Sequence, residues 1–126
     1  MFFITVRGMV KILVVDDAYF VRLSVRSFLE RQGYEVFEGE NGKQALTIYD
    51  EIKPDVVFCD ITMPEVSGLD FLKIIMQSHP DAKVIMLTSA RDESILAEAM
   101  SLGARDVLLK PFDESKVLDV LRKVLG

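Results

Sequence analysis

Five times along this chain an apolar, β-branched run gives way to a stretch with helical apolar spacing. No other feature constrains the fold as much. Val10-Lys11-Ile12-Leu13-Val14-Val15 ends in Asp16-Asp17. Tyr19 to Gln32 then places Phe20, Leu23, Ser24, Ser27 and Phe28 at helical spacing and stops at Gly33. Tyr34 to Glu38 reads as a short strand. Asn41 with Gln44 three residues on offers a helix N-cap, Ala45, Ile48, Tyr49 and Ile52 continue that helix, and Pro54 stops it. Val56-Val57-Phe58-Cys59 runs into Asp60. Ser67 and Asp70 mark the next helix start, Phe71, Leu72, Ile75 and Met76 form its apolar face, and His79-Pro80 ends it. Lys83 to Leu87 is a fourth strand ending at Thr88. Asp92 to Leu102 is a helix striped by Ile95, Leu96, Ala99 and Met100, with Gly103 as its stop. Asp106 to Leu109 is a fifth strand ending at Lys110. A last helix begins near Asp113 and carries Val117, Leu118, Leu121, Val124 and Leu125.

Strand alternating with helix means βαβ units and a parallel sheet with right-handed crossovers. The near-continuous apolar strands agree, because both sheet faces must be covered. A chain of 126 residues suits one domain. We expect that domain to span 9–126, opening at Met9, with 1–8 as an N-terminal extension of unassigned role. No linker or low-complexity stretch interrupts the pattern.

The net charge of −5 argues against non-specific nucleic-acid binding and suits a cation ligand. No apolar run approaches the roughly 20 residues that span a bilayer. The apolar start lacks a basic first segment and a cleavage site, so it does not read as a signal peptide. One cysteine, Cys59, allows no internal disulfide, which fits a reducing compartment. Cytoplasmic residence is the expectation.

The informative fact is where the polar residues fall. In four of the five strands the first strongly polar residue after the apolar run is Asp16 or Asp17, Asp60, Thr88 or Lys110. A parallel sheet puts all strand C-termini along one edge, so residues distant in sequence converge there, where open α/β sheets bind ligands. Any one of these residues alone is ordinary as a cap or turn former. An acid pair, an acid, a hydroxyl and a lysine on four strand ends are together much less easily dismissed. Three carboxylates repel: two charges 4 Å apart interact by about 1 kcal/mol in water and about 4 at an effective dielectric near 20. A hard divalent cation offsets this with oxygen ligands. Lys110 offsets it further as a mobile point charge. A metal, a lysine and a hydroxyl around one carboxylate suit phosphoryl transfer, with the carboxylate as nucleophile giving an acyl phosphate.

From Met9 to Gly126 the chain resembles the receiver domains of two-component response regulators, of the stand-alone chemotaxis type. The segments that carry the resemblance are Ile12-Leu13-Val14-Val15-Asp16-Asp17, Asp60-Ile61-Thr62-Met63-Pro64-Glu65-Val66-Ser67-Gly68, Leu87-Thr88-Ser89-Ala90, Gly103-Ala104 and Lys110-Pro111-Phe112. The resemblance implies a flavodoxin-like (βα)5 fold, doubly wound, with strand order 2-1-3-4-5. It implies that Asp60 is the phospho-acceptor, that Asp17 binds Mg²⁺ directly, and that Asp16 holds the ion mostly through water. Asp60 and the backbone carbonyl of Thr62 complete the ligand set, and Mn²⁺ substitutes for Mg²⁺. Lys110 contacts the phosphoryl oxygens and Thr88 is the switch hydroxyl. Pro64 and Gly68 shape the loop after Asp60, and the Lys110-Pro111 bond is expected to be cis. Thr62 and Ala90 tune the phosphoryl lifetime. One departure stands out. Many members carry an aromatic residue three positions before the lysine, and here that position is Val107, so side-chain signalling on the face built from the fourth helix, fifth strand and fifth helix is expected to be weaker or different.

The implied partners are a histidine kinase or phosphorelay histidine protein upstream and an output protein downstream, with no nucleic acid and no membrane. The chain stops after the fifth helix, so its output is expected to be a protein contact, made as a monomer or weak dimer. His79, the only histidine, follows a helix and precedes Pro80, which favours a capping or surface role. Cys59 reads as a small core residue, the methionines at helical spacing as core, and Tyr19 as packing or surface.

Two other functions compete. An aspartyl-nucleophile phosphatase also uses carboxylates, Mg²⁺, Thr and Lys, but it usually carries Asp-x-Asp on its first strand, whereas Asp16 and Asp17 are adjacent and no cap domain is present. No external-substrate turnover is therefore expected. A flavin-binding module needs a Ser/Thr/Gly-rich phosphate loop after the first strand, and Asp16-Asp17-Ala18-Tyr19 is acidic there.

Overall fold

Side chains along a strand alternate between the two sheet faces, so a strand that is apolar at every position has to be covered on both sides. The computed structural model, which describes residues 9–126, shows that arrangement. Five strands, β1 (Lys11–Val15), β2 (Glu35–Gly39), β3 (Val56–Asp60), β4 (Val84–Thr88) and β5 (Asp106–Leu109), form one sheet in the order β2-β1-β3-β4-β5, all pairs parallel. The helices between and after them are α1 (Tyr19–Glu30), α2 (Gly42–Ile52), α3 (Gly68–Ser78), α4 (Glu93–Ser101) and α5 (Glu114–Leu125). This is the expected flavodoxin-like (βα)5 fold. The 1–8 extension lies outside the described residues.

Two cores result. Leu13, Val15, Val57, Cys59, Val84 and Met86 face one way, onto Tyr49 of α2, Phe71 and Leu72 of α3 and Ala99 of α4. Ile12, Val14, Val56, Phe58, Ile85 and Leu87 face the other way, onto Val25 and Leu29 of α1 and Val117, Leu118 and Leu121 of α5. Most of the elements begin and end for local reasons. Asn41 caps α2, its side chain accepting the Gln44 N–H at 2.8 Å, while the Gln44 side chain accepts the Glu40 N–H. Ser67 and Asp70 form a reciprocal capping box on α3. Asp92 and Asp113 cap α4 and α5.

The structure corrects the expected apolar face of α1. Phe20 and Leu23 are exposed, and Arg22, Val25 and Leu29 are buried instead. Both sets fit a 3.6-residue period, because the helix is apolar on more than one side. The pair Val25 and Leu29 meets the sheet, while Phe20 lies roughly opposite them around the axis. Met100 is likewise half exposed rather than core. Strand ends also shift by a residue. Asp60 and Thr88 belong to their strands, because the ladder continues past them through Ile61 N–H to Leu87 O and Lys110 N–H to Thr88 O.

Candidate functional site

The C-terminal edge of the sheet gathers the predicted residues. Alternation puts Asp16 on the side of Ile12 and Val14, Asp60 on the side of Phe58, and Lys110 on the side of Leu108. The three meet there. The Lys110 Nζ donates to Asp16 Oδ2 at 2.8 Å and stands 3.7 Å from Asp60 Oδ2. Carboxylate oxygens of Asp16, Asp17 and Asp60 all lie within 4.8 Å of one another. Asp16 and Asp60 are buried, and Asp17 is exposed at the rim.

Each member is held by its neighbours. Asp16 Oδ1 accepts the Ala18 N–H at 2.9 Å. Asp60 Oδ1 accepts the Thr62 N–H at 3.3 Å, which turns the β3–α3 loop back over the strand end. Thr88 is buried, and its Oγ1 accepts the Ala90 N–H at 3.0 Å, leaving its own proton for an incoming oxygen. The Lys110–Pro111 peptide is cis.

Gly68 is required by a close approach. A Cβ there would collide with the Asp60 carbonyl, so α3 can begin directly beneath the end of β3 only with glycine. Gly42 does the same on the other side of the loop, where a Cβ would lie 2.5 Å from the Val66 carbonyl oxygen. Pro64 lies in the same loop and lines a cavity of about 280 Å³ with Asp17, Asn41 and Glu65.

Electrostatics mark Asp60 out. Burial first, then the Asp16 charge, raise its carboxyl from 3.8 to about 6, against the downward pull of Lys110 and the Thr62 N–H. A carboxylate this reluctant to ionise, beside two others and one lysine, marks a shortfall of positive charge. The donor set is hard oxygen only, and it fits Mg²⁺ or a similar divalent cation. Asp16, Asp17 and Asp60 are the side chains grouped closely enough to hold it.

The other singled-out residues fall elsewhere. The Cys59 thiol is fully buried and burial pushes its pKa well up, so it is inert. The His79 backbone N–H caps α3, and its ring packs against Tyr49 with Nε2 3.8 Å from Asp50. Val107 is part-buried against the α2–α3–α4 core. Among the described residues no helix is long and apolar enough to cross a membrane.

Sequence reasoning missed Arg22. It is 6 % exposed, donates to the Asp16 carbonyl at 2.8 Å and to Glu38 Oε1 at 2.9 Å, and stands 3.6 Å from Glu40. The signal was present: Arg22, Val25 and Leu29 share one helical stripe, and a charge on an apolar stripe calls for a partner.

Comparison with known proteins gives a consistent result. The response regulator receiver domain family matches residues 12–122. The chain is 43% identical over 115 residues to chemotaxis protein CheY of Thermotoga maritima, covering 90% of this chain and 96% of that one. It is 34% identical over 115 residues to sporulation initiation phosphotransferase F of Bacillus subtilis, covering 91% and 93%. Among solved structures, chemotaxis protein CheY4 of Vibrio cholerae superposes with a TM-score of 0.87 at 34% identity, covering 93% of this chain and 99% of that one. The CheX–CheY–BeF3–Mg²⁺ complex of Borrelia burgdorferi gives 0.91 at 28%, covering 98% and 95%.

Proposed function

Given that the chain belongs to the response regulator receiver-domain family, we propose that it is the phospho-acceptor module of a two-component system, with Asp60 taking a phosphoryl group from a histidine donor. The observation that carries this reading is the pocket itself. Asp60 ends the central strand β3 with Lys110 3.7 Å away and two further carboxylates beside it. Lysine, hydroxyl and oxygen-only donors around one carboxylate serve phosphoryl transfer, where positioning and charge neutralisation do most of the catalysis.

Each residue has a role in that reading. An Asp60 carboxylate oxygen attacks phosphorus, a P–O bond forms as the donor P–N bond breaks, and the electron pair stays on the imidazole nitrogen, which takes up a proton. Asp16, Asp17, Asp60 and the Thr62 carbonyl would hold Mg²⁺, or Mn²⁺ in its place, which would supply charge neutralisation for the phosphoryl oxygens. Lys110 exchanges its bond to Asp16 for one to a phosphoryl oxygen. The Thr88 hydroxyl donates to another, leaving its bond to Ala90 and so moving the β4–α4 loop, which alters the surface offered to an output protein. Pro64, Gly68 and Pro111 shape the loops that hold these groups. The expected setting is the cytoplasm, with a histidine kinase or phosphorelay histidine protein upstream and the receiver as a monomer or weak dimer. The sporulation phosphotransferase relative, and the relative bound to CheX with BeF3 and Mg²⁺, support both the chemistry and the mode of output.

Incubation with Mg²⁺ and a small phosphodonor is expected to label the protein, and the Asp60→Asn variant is expected to stay unlabelled. Equal labelling of that variant would remove Asp60 from the role. The competing reading, an aspartyl-nucleophile phosphatase, predicts steady turnover of a phosphomonoester, and we expect none.

A further inference from the structure

Arg22 sits behind the pocket, and neither packing nor the phosphoryl chemistry accounts for it. It occupies a position on the α1 stripe where an aliphatic side chain would extend the core already made by Val25 and Leu29. Burying a guanidinium instead is costly unless its donors are used. Here they are used in a specific way. Nη1 donates to the Asp16 backbone carbonyl at 2.8 Å, and Nε donates to Glu38 Oε1 at 2.9 Å. Glu38 is in turn fixed by Arg26 at 2.7 Å. The Tyr19 ring lies 5.7 Å from the Arg22 guanidinium. One planar fork therefore joins the end of β1 to the side chain of β2 beside it.

The Asp16–Asp17 turn depends on few such ties. The Asp16 amide bonds Gly39 O at 3.1 Å, its Oδ1 accepts from Ala18, and its Oδ2 accepts from Lys110. The Lys110 tie is lost whenever the lysine engages another anion. The Arg22 bond to the Asp16 carbonyl then remains, beside the Asp16 bonds to Ala18 and Gly39.

We propose that Arg22 is a positioning residue: it clamps the Asp16 carbonyl to Glu38 and so sets the orientation of the two adjacent carboxylates toward the cation. The proposal rests on the phospho-acceptor reading above. A lysine at this position keeps the charge but, as a single-point donor, cannot hold Glu38 and the carbonyl in one plane.

The test compares metal-free parent protein with Arg22→Lys, Arg22→Met and the control Val25→Ala, which loosens the same helix one turn away without touching Asp16. Mg²⁺ affinity is read by titration calorimetry and the Asp16 and Ala18 amides by hydrogen exchange. Arg22→Met is expected to weaken Mg²⁺ about tenfold and Arg22→Lys several-fold, while Val25→Ala stays within about twofold of the parent. Exchange at the two amides is expected to quicken in both arginine variants, beyond any change in global stability, and not in the control. Arg22 variants that bind Mg²⁺ within about twofold of the parent overturn the proposal, as does an equal loss in Val25→Ala. If Arg22→Met does not fold, Arg22→Lys decides. A parent that neither binds Mg²⁺ nor labels at Asp60 overturns the underlying reading instead, and the proposal with it.

Discussion

Replacing Asp60 with asparagine is expected to make the metal-free protein more stable, although it removes the proposed acceptor. In the folded pocket the Asp60 carboxyl is raised from 3.8 to about 6 by burial and by Asp16. A folded-state value above the unfolded one means that stability is fully present below the unfolded value and is lost as pH rises through the folded one. Below about pH 4 the group is neutral in both states, and asparagine mimics it closely. Between about 4 and 6 the unfolded chain ionises freely while the folded chain is held back, so the parent falls behind. At about 1.36 kcal/mol per unit the shift sets a ceiling near 3 kcal/mol. Asp60 is only 7 % exposed, yet the pocket opens to water past the exposed Asp17, so screening brings the gain to about 1–2 kcal/mol. The assay is urea unfolding of parent and Asp60→Asn at several pH values, in chelator and in excess Mg²⁺. The variant is expected to lead at neutral pH in chelator, to lose that lead as pH falls toward about 4, and to lose it also in Mg²⁺, which stabilises the parent more by mass action. A variant no more stable than the parent at neutral pH, or a lead that does not change with pH, refutes the argument that repulsion and burial load this pocket.

Gly68→Ala is expected to destabilise by about 1–3 kcal/mol, since its methyl would drive α3 off the Asp60 carbonyl, and to slow labelling of Asp60; urea unfolding and a labelling time course check both. The corrected face of α1 predicts that Phe20→Ser changes stability by under about 0.5 kcal/mol while Val25→Ala costs about 1–3, readable in the same unfolding assay; the reverse order would mean that the helix presents its other face. The Cys59 thiol, fully buried with its pKa pushed up by burial, is expected to resist a colourimetric disulfide reagent in native buffer and to react at once in denaturant; rapid native reaction would contradict its burial.

The alternation of apolar runs with helical spacing was sufficient, without coordinates, for the (βα)5 architecture and the position of each element to within a residue or two. It was sufficient also for which residues share one edge, because a parallel sheet must bring its strand ends together, and Asp16, Asp17, Asp60, Thr88 and Lys110 stand at those ends. These properties follow from periodicity and chain direction, which are written locally. Other properties needed neighbours. α1 carries two apolar stripes of equal period, and only the sheet decides that Val25 and Leu29 are covered while Phe20 is not. Arg22 looks like any surface arginine until Glu38 and the Asp16 carbonyl are seen to meet it. The elevated Asp60 carboxyl depends on the distance to Asp16 and on exclusion of water. Gly68 is an ordinary loop residue until the Asp60 backbone is placed where its side chain would be. Burial, repulsion and close approach act between residues far apart in sequence, so only the tertiary structure could decide them.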